Sequence, residues 1–82
     1  MTIYARDIRD EEVYKITPEE MIVTSAFREV GYQISNDQWL QYKDLYDGCL
    51  QYLVISRKDY NSTREELMSS ENFDGVFEQK KV

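Results

Sequence analysis

Two hydroxyl residues, Thr17 and Ser35, each stand three places before a glutamate or glutamine, and this spacing constrains the chain more than any other feature. A Ser or Thr at a helix N-cap accepts a hydrogen bond from the third helical amide. The Glu or Gln at that third position reaches back to the cap. In Thr17-Pro18-Glu19-Glu20 the proline also suits the first helical position, where its missing N–H costs nothing.

Beyond Thr17, the residues Ile22, Val23, Ala26, Phe27 and Val30 recur at three- and four-residue spacing, and Gly31 follows as a natural C′ residue. The spacing predicts a helix over 18–30. The second box, Ser35-Asn36-Asp37-Gln38, has Ile34 before the cap and Leu40 near the fourth helical position, the arrangement of a hydrophobic staple. It predicts a helix from 36 to about 58. The short connection makes the two an antiparallel helical hairpin.

At 100° per residue, Trp39, Tyr42, Tyr46, Cys49, Leu50, Leu53 and Tyr60 share one face of the second helix. Asp37, Gln41, Asp44, Asp47 and Gln51 share the opposite face, with Leu40 and Ile55 beside them. A third box, Ser62 with Glu65, predicts a short helix over 63–70. The expected fold is therefore mainly α, a bundle of about three helices. The alternative is α+β: Asp47-Gly48 is turn-like and Tyr52-Leu53-Val54-Ile55 is β-prone, giving a strand near 50–57. Its only evident partner is Thr2-Ile3-Tyr4.

Eighty-two residues suffice for one core and one domain, 1–82. Residues 1–16, with alternating charges and sparse apolar anchors, read as an arm or a loosely docked helix, and 78–82 as a frayed end. A single cysteine and no long apolar stretch imply a cytoplasmic chain that neither crosses nor binds a membrane.

Without histidine the chain cannot build Ser–His or Cys–His nucleophiles or imidazole metal sites, and Gly31, Gly48 and Gly75 are too scattered for a phosphate loop. Asp44 to Gly48 lacks the alternating oxygen ligands of a calcium loop. The acidic pairs Glu11/Glu12, Glu19/Glu20 and Glu65/Glu66 suit helix starts better than acid–base chemistry. No enzyme activity, metal or cofactor is expected.

Sixteen acidic against ten basic residues give a net charge of −6, which disfavours nucleic acid and favours a protein partner with a basic surface. The expected partner-binding residues are Asp37, Leu40, Gln41, Asp44, Asp47, Gln51 and Ile55, joined by Glu11 and Glu12. In size, charge and tyrosine content the chain is similar to small acidic phage proteins that occupy the DNA site of a host enzyme, though no motif is shared. The expected function is thus a non-enzymatic, acidic inhibitor or adaptor, DNA-mimicking in its extreme form, on a nucleic-acid-handling protein. The alternative is a small assembly subunit that binds through apolar and tyrosine contacts.

Overall fold

The computed structural model of the chain describes residues 1–9, 11–44 and 52–80. Its centre is a sheet. Strands β1 (Ile3–Asp7), β2 (Glu12–Ile16), β3 (Glu20–Ser25) and β4 (Glu29–Gln33) form an antiparallel meander. Helix α1 (Asn36–Asp44) leads on to β5 (Tyr52–Val54), which pairs antiparallel with β1. Helix α2 (Arg57–Met68) then leads to β6 (Phe77–Lys80), parallel to β4, so the sheet order is β5-β1-β2-β3-β4-β6.

This mixed α+β architecture overturns the expectation of a mainly helical bundle. The segment 18–30 is no helix but most of the β3–β4 hairpin. Thr17 is a turn residue there: its amide donates to the Glu20 carbonyl at 2.9 Å, and its hydroxyl accepts from the Glu19 and Glu20 amides at 3.4 and 3.2 Å. Ser25 repeats the pattern, bonding Arg28 carbonyl by its amide at 2.9 Å while its hydroxyl accepts from the Phe27 and Arg28 amides. Such hydroxyl turns compete with helix caps for the same sequence.

Gly31 is likewise no helix terminator. It lies inside β4, where a Cβ would come within 2.7 Å of the Phe77 ring, so the missing side chain lets β6 lie close.

Ser35 does cap a helix. Its hydroxyl accepts from the Gln38 amide at 3.2 Å, its own amide donates to Gln38 Oε1 at 2.9 Å, and α1 begins at Asn36. Ser35→Ala is expected to cost about 1 kcal/mol in urea unfolding, and a change near zero would mean that the box contributes nothing. The second helix does not run on to 58, because 52–54 is β5. The α+β alternative placed that strand correctly, and its partner is the neighbouring part of the same N-terminal segment. The third helix begins earlier than Ser62 suggests, at Arg57, with the Ser56 hydroxyl accepting from the Asp59 amide. Residues 63–68 are its second half.

The first sixteen residues are neither an arm nor a docked helix. They supply β1 and β2, and Ile3, Ala5, Val13, Tyr14 and Ile16 are all buried. At the other end, residues 78–80 are ordered in β6.

Side chains alternate across the strands, so the sheet has two apolar faces and a helix for each. On one, Trp39 packs with Ile3, Ala5, Tyr14 and Ile16, flanked by Met21, Val23, Ile34 and Tyr42. On the other, α2 lies across β1, β2 and β3. There the Tyr60 ring meets Tyr4 at 4.9 Å between centroids, above the fully buried Val13 and Thr24. Two covered faces explain why β3 reads as a continuous apolar run, Met21-Ile22-Val23, with no period of two.

Candidate functional site

The meander gathers carboxylates, two tyrosines and an exposed Phe27 at one end of the sheet. At the β1–β2 turn, Asp7 Oδ1 accepts from the amides of Arg9 (3.1 Å) and Glu11 (2.9 Å), holding the loop so that Glu11 stands exposed. Glu12 follows at the start of β2, where its Oε1 accepts from the Tyr14 hydroxyl at 2.8 Å. The β3–β4 turn lies beside it, and the Ser25 hydroxyl turn lifts Phe27 to the tip, 64% exposed. Phe27 is anchored only by its backbone, whose carbonyl accepts from the Asp74 amide at 2.7 Å.

Two hollows open here. The larger, about 720 Å³, is lined by Glu11, Glu12, Ser25, Ala26, Phe27, Arg28 and, from the last turn of α2, Leu67. The smaller, about 290 Å³, lies between Asp7, Ile8, Arg9 and the pair Tyr14–Tyr52, with Glu11 and Glu12 again in its wall. The two tyrosine rings meet edge to face at 4.8 Å. Burial raises the pKa of Tyr14, and the hydrogen bond to Glu12 raises it further; burial also raises that of Tyr52. Both hydroxyls therefore stay protonated at neutral pH, and that of Tyr14 donates to the Glu12 carboxylate.

A third hollow, about 200 Å³, lies under α2 between Lys15, Ile22, Glu29, Tyr60, Asn61 and Arg64. Its carboxylate is already committed: Glu29 Oε2 accepts from Arg64 Nε at 2.6 Å and from the Thr24 hydroxyl at 2.7 Å, and Oε1 accepts from Arg64 Nη2 at 3.0 Å. Those bonds satisfy a hydroxyl with no solvent access and pin α2 to the sheet, so this cluster is structural. Among the described residues no group of three or more acidic or cysteine side chains is placed to hold a metal ion. No helix among them is long and apolar enough to cross a membrane.

The residues expected to form one binding stripe are dispersed. Glu11 and Glu12 stand together at the turn end. Asp37, Leu40 and Gln41 are exposed on α1, which starts beside the β2–β3 turn at the other end of β2, where the Ile34 amide bonds Glu19 carbonyl. Asp44 closes α1, while Asp47 and Gln51 lie outside the described residues. Ile55 is not on α1 at all: it follows β5, half-buried, its amide bonded to Tyr4 carbonyl at 2.9 Å. Among the described residues, Leu40 and Ile55 therefore do not border one acidic face.

Phe27, Ile8 and Tyr14 had no place among the expected contact residues. Reading Ser25 as a turn residue would have exposed Phe27 at a hairpin tip, and reading β1 and β2 as strands would have placed Tyr14. No protein-family model, curated protein or solved structure matches the chain.

Proposed function

We propose that the chain is a non-catalytic protein-binding module, an adaptor or inhibitor, that receives a basic segment of its partner on the turn end of the sheet. The observation that carries this reading is the wall of Glu11 and Glu12 shared by two adjacent hollows, with Phe27 standing 64% exposed beside it. An aromatic ring held out on a tight turn beside Ala26 and Leu67 offers the apolar anchor that interface centres favour. The adjoining carboxylates and tyrosine hydroxyl oxygens supply acceptors for Lys or Arg at its rim. The net charge of −6 draws a basic partner in from a distance.

The test is capture of partners from lysate of the source cells, followed by calorimetric titration of the captured protein. Phe27→Ala is expected to weaken binding at least about tenfold, as truncation of an interface anchor does. Glu11→Lys should weaken it and flatten its salt dependence, whereas Asp37→Lys, on α1 near the opposite end of β2, should change little. Loss of binding with Asp37→Lys but not with Glu11→Lys would transfer the contact surface to α1 and refute this placement.

A further inference from the structure

Strand β6 leaves its outer edge without a partner strand among the described residues, and all four of its side chains are exposed. It carries neither Pro nor Gly, so only its charge and its four-residue length blunt the edge. Alternation puts Phe77 and Gln79 on the α2 face, since the Phe77 ring and the Gln79 amide both lie over Gly31. Glu78 and Lys80 therefore share the other face, where Lys80 Nζ lies 3.9 Å from Glu78 Oε1 and 5.9 Å from the centroid of the Tyr32 ring.

We propose that this edge is a self-association surface whose occupant is β6 of a second copy of the chain, added antiparallel about a two-fold axis through Gln79. Charge selects both occupant and register. With Gln79 opposite its symmetry mate, Glu78 of each copy faces Lys80 of the other, so the attractive pair occurs twice. Centring the axis on Glu78 or on Lys80 sets like charges directly opposite. An axis perpendicular to the sheet keeps both α2 layers on one face, and the two six-stranded sheets become continuous. The weak, exposed pairing of Glu78 and Lys80 within one chain is easily exchanged for the cross-strand pairing. The opposite edge, Tyr52–Val54, has only three residues and no charge, so nothing there specifies a register.

Four-residue edges bury little surface, and two chains of net charge −6 repel, so the dimer is weak and belongs at high concentration. Sedimentation equilibrium at up to about 1 mM chain detects it. The wild type is expected to dimerise, Glu78→Lys and Lys80→Glu each to weaken dimerisation at least about tenfold, and an equimolar mixture of the two variants to recover it as a heterodimer. The charge-swapped double variant E78K/K80E keeps the composition and should dimerise like the wild type even if a single variant folds poorly. A wild type monomeric at about 1 mM, a dimer indifferent to Lys80→Glu, or folded single variants that fail to associate when mixed would each overturn the proposal.

Discussion

Trp39→Ala is expected to remove about 3–5 kcal/mol of unfolding free energy, the largest loss of any single substitution considered. Trp39 is 7% exposed and fills the centre of the cluster formed by Ile3, Ala5, Tyr14 and Ile16. It is carried by α1, the only helix on that face among the described residues, so no neighbouring helix can settle into the vacated volume. At roughly 0.05–0.15 kcal/mol per residue a chain of this length has about 4–12 kcal/mol of stability in total. The loss therefore takes between about a quarter of that stability and all of it, and the variant should unfold at markedly lower urea than the wild type. Urea unfolding followed by far-ultraviolet circular dichroism measures it, since the substitution removes the only tryptophan. Trp39→Phe, which keeps a ring in the site, should cost about half as much. A cost for Trp39→Ala below about 1 kcal/mol would contradict the burial of this side chain.

The same side chain was among the most legible parts of the sequence. Ser35, Gln38 and the run Trp39 to Tyr42 specify a capped helix with an aromatic inward face, and local chemistry decided the outcome there. Thr17 and Ser25 show where local chemistry stops deciding. Each offers a hydroxyl to amides two and three residues on, which serves an N-cap and a tight hairpin turn equally well. Tertiary pairing chose the turn. The contiguous Ile22-Val23-Thr24 fills both faces of β3, so its apolar positions matched a helical period by coincidence and carried no period of two.

The proposed binding surface was half legible for related reasons. Charge alone marked Glu11 and Glu12 without their neighbours, because residues 1–16 had too few apolar anchors to read as strands until the β-branched Val13 and Ile16 were paired with β1 and β3. Phe27 was placed on the apolar stripe of a predicted helix by the same spacing that misread the hairpin, whereas it is the most exposed aromatic side chain among the described residues. The strand at 52–54 depended on finding an edge to join. That edge exists only once residues 3–7 are themselves a strand, a condition between distant segments that no window of sequence contains.

The tie between α2 and the sheet sets the second large effect, and its sign depends on pH. Hydrogen bonds from Arg64 hold the Glu29 carboxyl below its ordinary 4.5, against the opposing influence of partial burial, and the Thr24 hydroxyl adds to the lowering. A folded-state pKa below the unfolded one means that the unfolded chain binds the proton more readily, so stability increases with pH through that range. The contribution of Glu29 is accordingly full above the ordinary carboxyl range, starts to fall near the unfolded value, and is gone once pH drops below the folded one. Arg64→Ala leaves the Glu29 side chain, 13% exposed, without its cation. Removing one partner of a fully buried pair costs about 3–5 kcal/mol. With Arg64 34% exposed, solvent screening reduces the expected loss to about 2 kcal/mol near pH 7. That difference from wild type should shrink as pH falls below about 4.5, because protonation of Glu29 removes the unpaired charge from the variant and the ion pair from the wild type alike. Urea unfolding of both proteins at about pH 7, 5 and 3.5 measures it, with Glu29→Gln as the second arm, since that variant should lose the same segment of pH dependence. Two stability curves that stay parallel across that range would show that the ion pair does not fasten the helix. Converging curves would locate the cover over Val13 and Thr24 in a single charge-assisted contact between α2 and β4, one that acid releases before it reaches the apolar core.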